Sequence, residues 1–329
     1  MSKLFLVRYE FPVAKQNRSP SLDFDQIRRL TITALFSDDL LFDQIVPKGG
    51  NAMTLVHGIS SRTSLDLDFS LETDFSDVEE IRTRAEQALA GRFVPLGLVP
   101  FDVKLAPKPA AAKESRSPRW GGYRLEFKVV DDDRYQRLKE DLERLRREAM
   151  VTGPNQLKVF SVDFSKWEYT VTATAGKTRT ELDSYTIYVY SPQMIALEKV
   201  RAICQQMEEY TLSRTTRAPR ARDFYDIHTV VTKTGFRFDS AESTELLKAI
   251  FAAKEVPLPL MGKISEQREF HRTDWPSVQA IFKQPRWGLL KSSTSTSISR
   301  LSSSSRYIPF GWNSCQRPLN SVSRIPCAR

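Results

Sequence analysis

Asp66 and Asp68 stand one residue apart in "SLDLDFS", alternating with Leu65, Leu67 and Phe69. Residues i and i+2 of a strand share a face, so the two carboxylates are expected side by side while the apolar residues enter the core. At roughly 7 Å between Cβ atoms they repel each other unless a cation neutralises them. Mg²⁺ suits the task, because it takes oxygens from one or two carboxylates and from phosphates. A half-exposed strand with an acidic face gives the same spacing, so the pair needs context.

That context lies upstream. Lys48-Gly49-Gly50-Asn51 precedes a short helical stretch. Glycines at a helix start let backbone N–H groups approach a phosphate, and the helix dipole favours the anion. A tight turn explains the glycines equally well when they are taken alone. A phosphate cradle followed by a paired-aspartate strand has one obvious joint use, holding a nucleoside triphosphate with its Mg²⁺. The sequence contains no GxxxxGK[ST], GxGxxG or HExxH motif. His57, His228 and His271 are scattered and read as structural or surface histidines.

The elements that must position these residues read as mixed α/β. "DFDQIRRLTITALFSDDLLFD" has a loose helical pattern, and "VPKGGNAMTLVHG" reads as a turn opening a helix that ends at Gly58. "DVEEIRTRAEQALAGRF" reads as a charged helix stopping at Gly91. "SLDLDFS", "YRLEFKVV", "QLKVFSVDF" and "YTIYVY" read as strands, and "RYQRLKEDLERLRREAM" as one amphipathic helix. Residues 107–122 form a Pro- and Lys/Arg-containing loop, read as surface, with contact to a nucleic-acid backbone as the alternative. Beyond Pro192 the pattern is helical in "IALEKVRAICQQMEEYTL", "ARDFYDIHTVV" and "STELLKAIFAAK". The expected organisation is residues 1–192 as a domain with a mixed sheet, 193–283 as a helical part completing the site, and 284–329 as a tail.

Composition is that of a globular protein, with 40% hydrophobic and 27% charged residues. No apolar run is long enough to span a bilayer, and the first residues lack the core and cleavage site of a secretory signal, so a cytoplasmic location without membrane contact is expected. Cys204, Cys315 and Cys327 form no CxxC pair and suggest neither a disulfide framework nor a zinc site. The net charge of +9 invites a nucleic-acid reading, but eight basic residues and no acidic ones lie between Trp275 and Arg329, leaving +1 for residues 1–274. The tail is rich in Ser and Arg without a regular period. It is expected to be disordered, or to be written in a shifted frame from near Gln284, a choice the nucleotide sequence decides.

Two blocks resemble a known family. "PKGGNAMTLVHGISSRTSLDLDF" is similar to the first motif of the AbiEii/AbiGii toxin family of nucleotidyltransferases, within the DNA polymerase beta-like superfamily. The matching residues are Lys48, Gly49, Gly50, Arg62, Ser64, Asp66, Leu67, Asp68 and Phe69. "EKVRAICQQM" and "RARDFYDIHTV" resemble its Glu-Lys-x-x-Ala and Arg-Asp-x-x-Asp helices. The resemblance spans about residues 40 to 235. Two departures stand out: fifteen residues separate Gly50 from Asp66, more than the generic superfamily gap, and the chain past about residue 284 resembles nothing in the family.

The resemblance implies a polymerase-beta-like mixed sheet with flanking helices, and a third carboxylate from a neighbouring strand. Asp163 is the choice for it, with Glu126 the runner-up and Glu168 a further candidate. The metal set is then Asp66, Asp68 and Asp163, for two Mg²⁺ ions. Lys199 would reach the triphosphate. Asp223, Asp226 and Arg222 would orient Lys199 and the nucleotide, or form a structural ion-pair network. Arg62 would contact phosphate or orient the acidic pair, and Ser64 would bind phosphate or support it. The implied activity is transfer of a nucleoside monophosphate from a triphosphate to an acceptor hydroxyl, with the tRNA 3′ end as acceptor and a toxin role beside a separate antitoxin. The alternatives are a catalytically inactive nucleotide- or partner-binding relative, and transfer to a protein or small molecule.

Overall fold

The computed structural model describes residues 23–61, 64, 66–109, 120–152, 156–169, 176–212 and 217–283. Arg62, Leu65, most of the 107–122 loop and the 284–329 tail therefore lie outside the described residues.

The chain opens with α1 (Phe24–Leu35), capped by a reciprocal Asp23–Gln26 box, and α2 (Asp39–Gln44), capped by Asp38. Strand β1 (Ile45–Lys48) runs into α3 (Gly49–Asn51), which continues as a π-helical turn over Ala52–Val56. Next come β2 (Leu67–Leu71), α4 (Val78–Phe93), β3 (Leu98–Lys108) and β4 (Gly122–Asp131). Helices α5 (Asp132–Leu138) and α6 (Leu142–Glu148) lead to β5 (Phe160–Ser165) and to the hairpin β6 (Lys177–Leu182) and β7 (Tyr185–Tyr190). Helices α7 (Pro192–Cys204), α8 (Ala221–Thr234) and α9 (Ala241–Ala253) follow. A 3-10 segment (Leu258–Gln267), α10 (Arg268–Arg272) and α11 (Trp275–Lys283) complete the described chain.

The main sheet is mixed, in the order β1-β2-β5-β4-β3. Only β2 and β5 pair in parallel; the other neighbours are antiparallel. One face is apolar: Leu67, Phe69 and Leu71 of β2, Phe160, Val162 and Phe164 of β5, and Leu125, Phe127 and Val129 of β4 join a core with Ile27 of α1 and Ile81, Leu89 and Phe93 of α4. A second core lies among α7, α8 and α9 and takes in Val46 of β1 and Tyr190 of β7. The sheet's residues of opposite parity, Asp68, Asp163 and Arg124, are set on its other face by the two-residue period.

Several local expectations change. The strand at the paired aspartates begins at Leu67, so Asp66 occupies the bend before it and is exposed. Helix α4 continues through Gly91 because Phe93, fully buried, anchors another turn in the core. The 134–150 stretch is two short helices, since Asp141 turns its carboxylate to the Arg144 N–H and starts a new one. Strand β3 has no simple alternation, because Pro100 and a positive-φ Asp102 sit at a register shift between Phe101 and Lys104. Strand β6 carries mostly polar residues and is defined by its pairing to β7 across the Asp183-Ser184 turn, both at positive φ.

Candidate active site

Asp68 lies at the meeting point of four elements. Across β1 it stands opposite Lys48, and across β5 opposite Asp163. From the turn after β1, Gly49 approaches so closely that a Cβ there would lie 3.1 Å from Asp68 Oδ2. Gly49 also has φ +70, so both space and backbone conformation call for glycine. Asn51 of α3 donates from Nδ2 to the Asp66 carbonyl at 2.5 Å, tying the approach to β2 onto the glycine turn. Asn51 was part of the quoted motif, but its role as a tether is visible only in three dimensions.

The carboxylates differ in environment. Burial pushes the Asp68 carboxyl up to about 6; Lys48 and Lys199 oppose the rise, and Asp163 and Asp66 add to it. Burial acts in the same direction on Asp163, but Arg124 and Lys108 outweigh it and hold that carboxyl below the usual range. Arg124 donates from Nε to Oδ1 at 2.8 Å and from Nη2 to Oδ2 at 3.1 Å, and Lys108 also bonds Oδ2. Glu126, the alternative third carboxylate, stands opposite Ser161 instead, while Arg124 stands opposite Asp163. The Glu168 side chain is enclosed elsewhere, in the ion-pair network described below. Ser64 is half-buried before β2.

Lys199 projects from α7 and its side chain is largely covered. Its ammonium sits 2.8 Å from Asp223 Oδ1 and 2.8 Å from Asp226 Oδ2 of α8. Burial alone would depress this lysine, but the two aspartates hold it above its ordinary value. The spacing of three along α8 places both carboxylates toward one partner. Arg222 is exposed, and the arginine that holds Asp223 is Arg220, at 2.6 Å. The Arg220 N–H in turn donates to His271 Nδ1 at 3.0 Å. Sequence pattern did not single out Arg220, because it precedes the helix and no period marks it.

Lys48 does not share the position of Lys199. It is buried, with Nζ 3.3 Å from Glu168 Oε1 and 3.9 Å from Glu198 Oε1. Arg201 bonds both glutamates, at 3.0 and 3.4 Å, and Lys254 joins Glu168 at 3.3 Å. Burial and the neighbouring Glu168 push the Glu198 carboxyl up to about 7 against the pull of the cations. This network ties β1, α7 and the loops after β5 and α9 together, and Lys48, opposite Asp68 in the β1–β2 register, acts on it as a buried charge.

The oxygen donors suit Mg²⁺ in kind. The raised carboxyl of Asp68, with Asp66 and Asp163 beside it, marks a place short of positive charge. Among the described residues no three side chains are gathered as a ready-made cation cluster, and Asp163 is engaged by Arg124 and Lys108. Asp66 and Asp68 supply oxygens of the kind Mg²⁺ takes, and Asp163 stands in register beside Asp68.

A family model described as "Nucleotidyl transferase AbiEii toxin, Type IV TA system" matches residues 32–289. The chain belongs to this AbiEii family. It is a nucleotidyltransferase, and the family's description makes it the toxin of a type IV toxin–antitoxin system. The match extends past the motifs that end near residue 235 and takes in the helices that follow. A nucleoside triphosphate as substrate and an antitoxin as partner follow from the AbiEii assignment.

Solved structures similar to this AbiEii chain include JHP933 from Helicobacter pylori, at 15% identity and TM-score 0.36, covering 78% of this chain and 95% of that one. A second Helicobacter pylori structure, solved as a candidate nucleotidyltransferase, has 14% identity and TM-score 0.38 over 80% of this chain and 97% of the other. An antigenic nucleotidyltransferase-like protein from Paracoccidioides brasiliensis has 15% identity and TM-score 0.31 over 73% and 92%. These likenesses are remote, and the assignment rests on the family match. A search of curated proteins found no match. No helix among the described residues is long and apolar enough to cross a membrane.

Proposed function

We propose that this AbiEii enzyme transfers a nucleoside monophosphate from a triphosphate to the 3′ hydroxyl of a tRNA, with Mg²⁺ held by Asp66, Asp68 and Asp163. The observation that carries the reading is the convergence on Asp68: a glycine turn against its carboxylate, a second aspartate in register beside it, and Lys199 close enough to act on it through space.

Each group has a separable task. The Gly49-Gly50 turn presents backbone at the place where a phosphate would lie against Asp68. Asp223 and Asp226 are positioning residues: they keep the Lys199 ammonium protonated and fixed, ready to meet the polyphosphate and to offset charge on the departing pyrophosphate. Arg124 and Lys108 keep Asp163 ionised. Two Mg²⁺ ions, when bound, would supply the charge that lets carboxylates and phosphates share one cleft and that activates the attacking hydroxyl. Arg62 and Ser64, just before Asp66, are assigned to the phosphates, and exposed Arg222 to the nucleotide. We divide the enzyme at Pro192, where Ser191 caps α7, into a sheet domain and a helical part over 193–283 that brings Lys199, Asp223 and Asp226 to the site.

The test is incubation with each α-labelled triphosphate, Mg²⁺ and total RNA or cell lysate, beside Asp68→Ala. Label entering tRNA only with the intact protein supports the proposal. Label in protein or small molecules overturns the acceptor, and no Asp68-dependent label overturns the assigned role of this site.

A further inference from the structure

A second feature lies along the side of α8 away from Lys199 and is not used by the chemistry above. A half-open groove of about 560 Å³ runs between the segment ending at Ser61 and the outer face of α8. Its walls include Ser60, Ser61, Tyr225, His228, Thr232 and Lys233. Four of these bear hydroxyls, one is a histidine and one a lysine, and no Asp or Glu lines the described walls. The volume falls within the usual range of small-ligand sites, roughly 300–1,000 Å³.

Both walls are fixed by the catalytic framework. The Ile59 and Ser60 N–H groups donate to the Met53 carbonyl at 3.0 and 3.4 Å, which pins that segment onto the turn following the glycines. Helix α8 is held from its inner face by Lys199, through Asp223 and Asp226. Tyr225, His228 and Thr232 recur at helical spacing along its other side, and Arg222 is exposed one turn upstream. One helix thus carries acid toward Lys199 and hydroxyl and basic groups toward the groove.

Hydroxyls, imidazole and ammonium with no carboxylate among them match a phosphate oxyanion better than a cation or an apolar ligand. We propose that this groove is a phosphate-binding subsite, built to hold phosphate oxygens between the segment ending at Ser61 and the outer face of α8. The inference rests on the nucleotidyltransferase reading for its biological use. Such phosphates have two sources, the phosphodiester backbone of an acceptor strand or the tail of the triphosphate.

The experiment measures binding by the full chain of two probes, a short fluorescein-labelled single-stranded RNA and inorganic tripolyphosphate, the latter by calorimetry. Lys233→Gln and the double variant Thr232→Val/Lys233→Gln alter exposed positions, and circular dichroism checks their fold. Roughly tenfold weaker RNA binding, with a salt dependence lowered by about one released counterion, supports the groove as a backbone site. The same loss for tripolyphosphate alone supports it as a site for the triphosphate tail. Unchanged affinity for both probes overturns the proposal. Asp68→Ala separates the two ideas: absence of any transfer by the intact enzyme defeats the catalytic reading, whereas the probe measurements decide the groove independently.

Discussion

Asp68 and Asp163 occupy paired positions on neighbouring parallel strands, yet their surroundings push them in opposite directions. Burial raises the Asp68 carboxyl to about 6, with Asp163 and Asp66 adding to the rise and Lys48 and Lys199 opposing it. Asp163, one strand away, is embraced by Arg124 and Lys108 and stays ionised. At one end of the acidic face the cations act only through space and do not offset burial, while at the other they bond the carboxylate directly. Identical side chains at matching register acquire different properties because burial dominates at Asp68, whereas Arg124 of β4 and Lys108 of β3 hydrogen-bond Asp163 directly.

The largest effect that would break this contrast is on activity. Asp68→Ala is expected to reduce transfer by about 10³-fold or more, read as labelled product per enzyme, with circular dichroism unchanged. Removing Arg124 by Arg124→Met is expected to reduce it far less, by about tenfold, and to raise the acid limb of the pH–rate profile as Asp163 loses its main partner. Equal losses would show that the two ends of the face are not distinct in role.

A buried ion pair behind the face gives the next effect. Asp226→Ala leaves the largely covered Lys199 with one carboxylate fewer, and is expected to cost about 3–5 kcal/mol of stability by urea unfolding. Asp226→Asn, which keeps a polar group of the same shape, is expected to cost less and to lower activity chiefly through weaker binding of the triphosphate.

Stability against pH sharpens the comparison directly, in buffer with a chelator. The folded carboxyl of Asp68 lies above its ordinary value of 3.8, so between about 4 and 6 the folded state holds the extra proton. Its contribution is therefore complete at acid pH and lost as pH rises through 6. Asp68→Asn is expected to stabilise at pH 7 by up to about 3 kcal/mol, with the gain vanishing near pH 4. Asp163 has the opposite sign: its stabilisation is present at neutral pH and lost on acidification, so Asp163→Asn is expected to destabilise at pH 7. Thermal denaturation of both variants across this range is the check.

The smallest expected effect comes from Gly49→Ala. Positive φ costs an alanine about 1 kcal/mol, and the new methyl would press on Asp68 Oδ2. A modest fall in melting temperature with a larger loss of triphosphate affinity is expected; an unchanged affinity would detach the turn from phosphate binding.

Strong local patterns made much of this molecule legible from its residues. The alternation in "YRLEFKVV" and "YTIYVY" marks β4 and β7, and the change to a helical pattern beyond Pro192 marks α7. Helical spacing placed Asp223 and Asp226 toward a common partner. What was missed has a common cause. The bulged β3, the polar β6 and the break at Asp141 depend on pairing, capping or a distant anchor, none of which leaves a period in the sequence. Lys48 and Lys199 looked alike as motif lysines, and burial with different carboxylates separated them.

The sequence by itself determined which chemical groups are available and which local faces they share: two aspartates two apart, two glycines before a helix, a lysine and an aspartate pair on separate helices. These follow from periodicities of the backbone that any isolated segment carries. Tertiary structure alone decided that Asp163 stands beside Asp68, that Arg124 and Lys108 neutralise one and not the other, and that Lys199 rather than Lys48 is held by the α8 aspartates. Charge interactions depend on distance and desolvation, and both are set by contacts among residues far apart in the chain.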